Sequence, residues 1–290
     1  MVPSNSLAMI WRIAVNQYIA LLRSSKMIVL GVVLVFIQIQ IITPIIQCSE
    51  LMQMKVSVFE PFIAMGNSSV LLLILPLLFL VLMADFPPKG GNHLLYQFRC
   101  KKRTWLWGQL LYLMQICGSI ILFFLLVTIA LLGKQGKFLL NFSEAITHYV
   151  VTFPERYGDY INQLFPENLY LQLTLQEAVI HTILFLILYF ILLGLILLLM
   201  SLINKKNIGI IIDCFVVILG VFSCAGGSTI KWMFPMAHAI PWLHFEAYFS
   251  EQIFPMWGSY VYFFVIILVL CTVCFSVVKK YEVGRGTVYD

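Results

Sequence analysis

The alternation of apolar and polar stretches predicts the architecture. Six apolar runs stand out along the chain, at 27–47, 68–86, 109–132, 178–203, 208–225 and 259–278. A helix needs roughly 20 apolar residues to cross a bilayer, so each run is read as one transmembrane helix. The fifth is the shortest and is interrupted by Asp213. Residues 5–26 follow a different pattern. At about 100° per residue, Asn5, Arg12, Asn16, Arg23 and Lys26 share one direction, while Ile10, Trp11, Ala14, Val15, Tyr18 and Leu22 fill much of the rest. A basic stripe opposite aromatic and aliphatic residues predicts a helix lying in the membrane interface. The start of a long tilted first span is the alternative.

The connections differ in kind. Residues 48–67 are short and faintly acidic. Residues 133–177 are the largest extramembrane piece and mix carboxylates with aromatics. That mixture predicts one or two short amphipathic helices on the outer leaflet, without a folded domain. Thr174-Leu-Gln-Glu177 carries the spacing of a capping box at the start of the fourth span. The link between spans four and five is only Asn204-Lys-Lys-Asn207, which predicts a tight hairpin. Residues 226–258 are apolar and aromatic but broken by Gly227, Pro235, Pro241 and Pro255. They predict short re-entrant helices dipping into the outer leaflet, because irregular backbone at depth survives only where protein or water satisfies it. With no internal repeat, residues 1–290 read as a single transmembrane domain and the fold class as all-α integral membrane protein.

Composition supports this. The chain is 61% apolar and 11% charged, with mean hydropathy +0.97, against roughly 25% charged in soluble domains. No cleavable signal peptide is expected, because the first apolar run starts late and is long enough to remain as a span.

Charge gives the orientation. Lys and Arg close to a span resist translocation. With both termini inside, the inner parts carry Arg12, Arg23, Lys26, Lys89, Arg99, Lys101, Lys102, Arg103, Lys205, Lys206, Lys279, Lys280 and Arg285, which is thirteen of the 18 Lys and Arg. The outer parts carry Lys55, Lys134, Lys137, Arg156 and Lys231. The net charge of +5 therefore reflects orientation, and nothing points to nucleic acid.

Candidate chemistry is sparse. There is no H-E-x-x-H and no G-x-S-x-G. Gly133-Lys-Gln-Gly-Lys137 lacks the spacing of a phosphate loop, so the chain is not expected to bind ATP or act as an enzyme by itself. Cys271 and Cys274 form a C-x-x-C inside an apolar helix, where packing is favoured over zinc. A disulfide between Cys48 and Cys224 has only weak support. Asn67-Ser-Ser and Asn141-Phe-Ser are sequons of little weight.

Asp213 is the one acidic residue well inside an apolar run, and an intramembrane carboxylate is a functional candidate. Pairing with a helix-end lysine, or a hydrogen bond to a neighbouring helix, is the preferred structural reading. His238, His244 and Glu246 lie in the broken outer segment with Trp232 and Trp242. A metal site there is conceivable, with ordinary interfacial polar residues favoured. His181 reads as a satisfied helix-end histidine.

The connection between spans two and three carries most information. It leaves the membrane at Ala84-Asp85-Phe86-Pro87-Pro88. It then carries Tyr96, Phe98, Arg99, Lys101, Lys102 and Arg103, with room for a short helix around 94–100, before Trp107-Gly108-Gln109 opens the third span. Lipid anchoring is one reading. Docking of a cytosolic subunit is the other, favoured by the loop's length and its defined exit at Asp85.

On these residues the chain resembles the ABC-2 family of ATP-binding-cassette transporter permeases over nearly its whole length. In that family an acidic residue near the end of the second span precedes a short coupling helix bearing arginine, and a G-K or G-Q pair enters the next span. Here these are Asp85, Tyr96-Gln-Phe-Arg99 with Arg103, and Gly108-Gln109. Cys100-Lys-Lys-Arg103 departs from the usual small-polar stretch. The resemblance implies a half-transporter in a bacterial cell membrane, with a second permease chain and cytosolic ATPase subunits that bind ATP and Mg. It also implies export of an amphipathic or apolar substrate, such as an antimicrobial peptide, drug or lipid-linked molecule. An ion-coupled secondary transporter using Asp213 and a non-transporting membrane scaffold are the alternatives.

Overall fold

The computed structural model describes residues 6–88, 100–227, 229–246 and 251–279. Tyr96, Phe98, Arg99 and the helix expected around 94–100 lie outside the described residues. Within them the protein is a bundle of apolar helices with one polar end rich in Lys and Arg, the basic end, and one end covered by the 133–177 connection, the cap end.

The first helix, α1 (Ser6–Leu22), buries Ile13, Ala14 and Gln17. Arg12 in this helix and Arg23 just past its end are exposed, and so are Leu7, Trp11 and Leu22. The amphipathic helix is therefore present, with a narrow buried strip and two different exposed faces. A three-residue 3-10 turn, Ser25–Met27, leads into α2 (Ile28–Ile37), a π-turn at Gln38–Ile42 and α3 (Thr43–Met52). Pro44 explains the π-turn: it has no N–H and its ring crowds the carbonyl one turn back. Thr43 Oγ1 donates to Gln38 O at 2.9 Å, using a carbonyl within that turn. The helical stretch 25–52 is longer at both ends than the expected 27–47.

Helices α4 (Glu60–Asn67) and α5 (Ser69–Leu82) meet at 85°. Ser68 makes the corner. Its backbone is extended, and its Oγ accepts from Leu71 N at 3.4 Å, capping α5. Gly66 lets α4 press against α11, since a Cβ there would sit 2.6 Å from Thr182 Cγ2. The expected span at 68–86 is thus shortened. Met83 closes α5, which is 14 residues and so about 21 Å long, less than a bilayer core of roughly 30 Å.

Helix α6 (Lys102–Leu132) starts seven residues before the expected 109. At 31 residues it runs about 46 Å, and its first turns support α1. The contact is close at Gly108, where a Cβ would lie 2.8 Å from Ile13 Cγ2. Lys102 and Arg103 are consequently helical residues, not loop residues.

The 133–177 connection departs most from expectation. It folds as four short helices, α7 (Glu144–Thr147), α8 (Tyr149–Thr152), α9 (Tyr160–Leu164) and α10 (Glu167–Tyr170). They bury Ala145, Ile146, Tyr149, Ile161, Leu164, Phe165 and Leu169. The 48–67 connection joins them through a parallel pairing of β1 (Val56–Ser57) with β2 (Gly136–Lys137). One buried carboxylate ties the two connections together. Glu60 accepts from Ser57 N at 2.7 Å, Ser143 N at 2.6 Å and Ser143 Oγ at 3.0 Å. The two connections therefore build one packed cap.

Helix α11 (Leu175–Leu202) is the central helix, with most of its length buried. Its start carries the expected capping box: Glu177 N donates to Thr174 Oγ1 at 3.3 Å, and Thr174 N to Glu177 Oε2 at 2.9 Å. It returns into α12 (Lys206–Ala225) through the expected tight turn. Asn204 takes φ +61°, while Lys205 N donates to Met200 O at 2.9 Å and Asn204 N to Ser201 O at 3.0 Å. Those paired bonds satisfy carbonyls left open at a helix end. A short α13 (Pro235–His238) and two 3-10 turns follow before α14 (Met256–Val277). No disulfide joins any of the seven cysteines. Cys48 Sγ donates to Ala145 O at 3.2 Å, so its thiol clips the cap and does not pair with Cys224.

Among the described residues, five helical stretches are long and apolar enough to cross a membrane, at Ser25–Met52, Lys102–Gln135, Leu175–Leu202, Lys206–Ala225 and Met256–Val277. The bent α4–α5 pair is a sixth candidate. The protein is an all-α membrane protein with several crossing helices.

Candidate functional site

Three polar clusters interrupt the apolar bundle. The first is at the basic end. Asp85, just past α5, contacts Lys26 Nζ from the α1–α2 junction, and Lys206 Nζ from the start of α12 lies 3.4 Å from Asp85 Oδ1. The hydrogen bond from Lys26, helped by both ammonium charges, holds the carboxyl below the usual Asp range. Beside it is a cleft of about 170 Å3 lined by Gln17, Ser24, Lys26, Asp85, Phe86 and Tyr112. Lys102 Nζ donates to Lys279 O at 3.1 Å, and Trp107 packs on Phe275 at 5.1 Å. These contacts bring the starts of α6 and α12 and the ends of α5 and α14 to one end. Lys101, Lys102 and Arg103 are exposed there.

The second is Asp213 in α12. It is fully buried, and neither carboxylate oxygen has a hydrogen-bond partner among the described residues. The preferred pairing with a helix-end lysine is not seen, because Lys206 is engaged by Asp85. The Tyr189 hydroxyl of α11 is also buried without a partner.

The third lies between α12 and α14. His238 and His244 come together, joined by Ser259 in the first turn of α14. Ser259 Oγ is 2.8 Å from His238 Nδ1 and 2.7 Å from His244 Nε2. The outer nitrogens reach carbonyls: His238 Nε2 is 2.8 Å from Trp232 O, and His244 Nδ1 is 3.0 Å from Ile240 O and 3.2 Å from Pro241 O. Aromatic rings enclose the group. His238 stacks on Tyr262 at 3.9 Å, His244 on Phe185 at 5.7 Å, and Trp232 on Phe254 at 4.5 Å. Burial pushes both imidazoles below the ordinary histidine range, His244 to about 4.

The structure brings no third metal-ligating side chain to the two histidines among the described residues. Glu246 is exposed and bonds through its backbone to Glu251 O. Trp242 supports the cap instead, its carbonyl accepting from Asn168 Nδ2 at 3.1 Å. His181, half-buried, bonds through Nδ1 to Tyr260 Oη at 2.6 Å. Asn67 of the first sequon is buried, which removes it as a glycan acceptor in this fold. Sequence reasoning missed Ser259 and Glu60. Each is a polar residue in the first turn of an apolar helix, and that position was the available signal.

Neither a protein-family model, nor a curated protein, nor a solved structure matches this chain. The fold and its polar clusters define a multi-pass α-helical membrane protein.

Proposed function

We propose that the chain is the membrane-spanning permease subunit of an ATP-driven exporter. The observation that carries this reading is the arrangement at the basic end. Asp85 is held by cations from two other elements, so the 86–101 connection departs from a fixed point. It re-enters through exposed Lys101, Lys102 and Arg103 on a helix that projects beyond the apolar run. α1 lies against that projection with a basic face and an apolar face both exposed, as suits a membrane interface. A fixed exit followed by a cationic helix start supports a docking surface for a soluble partner.

In this reading the basic end and both termini are cytoplasmic, the α4–α5 pair completes six spans, and the α13 segment is re-entrant from the outside. A separate ATP-binding-cassette ATPase docks on the 86–103 connection and supplies ATP and Mg chemistry. The chain itself is not an enzyme. A second permease chain, identical or related, completes the pathway. The substrate is amphipathic or apolar, of the class of antimicrobial peptides, drugs or lipid-linked molecules, and leaves a bacterial cell.

The test is a gentle-detergent pull-down of the chain from its native membrane, repeated with Arg99 and Arg103 changed together to Glu. A stoichiometric Walker-motif ATPase that is lost in the double variant, with insertion intact, is the expected result. No ATPase with the wild-type chain would overturn the proposal. A second reading is favoured by one observation, the buried partnerless carboxylate of Asp213. In it the chain is an ion-coupled transporter that needs no ATPase.

A further inference from the structure

The His238–Ser259–His244 group shows a deficit when its protons are counted. Four contacts are closed: Trp232 O with His238, His238 with Ser259, Ser259 with His244, and His244 with the Ile240 and Pro241 carbonyls. Each hydrogen bond needs one proton between its two heavy atoms. The carbonyls only accept, a neutral imidazole supplies one N–H, and the serine supplies one O–H. Two neutral histidines and one serine therefore supply three protons for four contacts. Whichever tautomers are chosen, one contact would set two lone pairs face to face at 2.7 to 3.0 Å. His238, His244 and Ser259 are at most 1% exposed, so bulk water does not relieve the deficit.

We infer that His238, Ser259 and His244 form a one-proton binding site, in which the closed arrangement holds a single extra proton shared between two imidazoles across the serine hydroxyl. The proton comes from water at the cap end. Taking it up turns the lone-pair conflict into an N–H to Oγ or N–H to carbonyl hydrogen bond and breaks no covalent bond beyond the donor's O–H. A second extra proton would protonate the imidazole nitrogen that accepts from Ser259, leaving that O–H facing an N–H, and would place two cations side by side.

The surroundings bracket the pH at which the site fills. Burial opposes the charge, and so does His181 on α11 at His244; Lys231 Nζ lies 5.5 Å over the Trp232 ring. Tyr260 and Tyr262 on α14, Tyr189 on α11 and Cys224 on α12 are the other titratable groups near the cluster, and Glu246 and Glu251 lie in the connection beyond His244. No carboxylate makes an ion pair with either histidine among the described residues. The carbonyl and hydroxyl contacts favour the charged form. Burial, set against the Ile240 and Pro241 carbonyl contacts, holds His244 at about 4; the contact with Ser259 favours filling above that value and below the ordinary imidazole value of roughly 6.5. The sign follows. The closed form binds one more proton than a form with one contact open. Acidification therefore closes the segment onto α14, by up to tenfold in population per pH unit, and neutral pH releases one contact. This site stands independently of the transport reading.

The test is a titration of the full chain in nanodiscs, labelled with 15N-histidine and followed by NMR from pH 8 to pH 4. Two buried rings should shift together in one transition between about 4 and 6.5 that takes up one proton in total. Ser259→Thr, which keeps the hydroxyl, should preserve that transition. Ser259→Ala leaves two contacts and two protons, so its histidines should bind a proton at least tenfold more weakly. The inference is overturned if both rings stay neutral to pH 4, if each takes its own proton independently, or if Ser259→Ala titrates like wild type. Should Ser259→Ala fail to fold, the wild-type titration alone decides.

Discussion

Replacing Glu60 with Gln should open the cap without unfolding the bundle. Glu60 is fully buried, and its two oxygens accept three hydrogen bonds, two of them from backbone N–H groups that can only donate. Oε1 serves Ser143 N, while Oε2 serves Ser57 N and Ser143 Oγ. A glutamine keeps one acceptor oxygen and puts an NH2 in place of the other. Either the Ser57 or the Ser143 amide then faces a donor. A buried donor left unpaired costs about 1–3 kcal/mol. Taking about 2 kcal/mol, local opening rises by roughly thirtyfold, since each 1.4 kcal/mol is a factor of ten. Ser143→Ala removes only the hydroxyl donor and leaves both backbone bonds, so its cost should stay near 1 kcal/mol. Hydrogen–deuterium exchange resolves these cases. Peptides covering 56–60 and 140–147 should exchange about thirtyfold faster in Glu60→Gln, while peptides from the buried middle of α11 keep their protection. Equal exchange at 56–60 and 140–147 in variant and wild type would show that the carboxylate does not hold the two connections together.

Three further outcomes are expected. In Gly108→Ala the new methyl meets Ile13 at 2.8 and 2.9 Å, and a β-branched neighbour yields little, so α1 should lift from α6 at a cost of about 1–3 kcal/mol; unchanged tryptic cleavage at Arg12 and Arg23 would refute the close contact. The lowered pKa of Asp85 makes its pairing stabilising above the unfolded value of about 3.9 and lost as pH falls through the lower folded value. The side chain is 74% exposed, so Asp85→Asn should cost under about 1 kcal/mol in thermal unfolding at pH 7, with the difference vanishing in high salt. Asp213→Asn removes no hydrogen bond and should leave stability within about 1 kcal/mol, so loss of transport in a normally assembled variant would favour the ion-coupled reading.

The crossing helices were legible because apolar runs of span length have few other outcomes. The capping box at Thr174 and the hairpin at Asn204–Asn207 were legible because the chemistry that makes them is local. Long-range partners were not. Nothing adjacent in the chain ties Glu60 to Ser143, 83 residues away, so the 133–177 connection read as loose helices when it is half of a cap. The same holds at Asp213, where a lysine seven residues earlier, about two turns back along the same helix, looked like the natural partner, but Lys206 reaches Asp85. The short second span has a local cause that was available: Ser68 can end one helix and cap the next, and a polar residue between two apolar segments marks such a corner. His238 and His244 were singled out, but a metal needs a third ligand. What joins them is a serine on another helix, 15 residues beyond His244.

The polar clusters also explain how an apolar bundle fixes one arrangement. Between helices in a bilayer the hydrophobic effect does not discriminate, because lipid tails are as apolar as leucine. The sides of α12 and α14 illustrate this: Ile211, Phe215, Phe222, Phe264 and Leu268 are all exposed and would be equally satisfied by lipid or protein. Specificity must then come from groups that are costly to leave unpaired, and these sit mainly at the helix ends. At the basic end Asp85 meets Lys26 and Lys206, an exposed pairing of small energy that adds orientation more than stability. Glu60 fixes how the 48–67 and 133–177 connections close on each other, and Ser259 fixes where the α13 segment sits on α14. Each tie joins elements far apart in sequence through a few bonds, so one end can open while the other keeps its helices in register. The Glu60→Gln exchange experiment and the histidine titration each release a different tie, and the ties are separable if neither perturbation changes protection at the other.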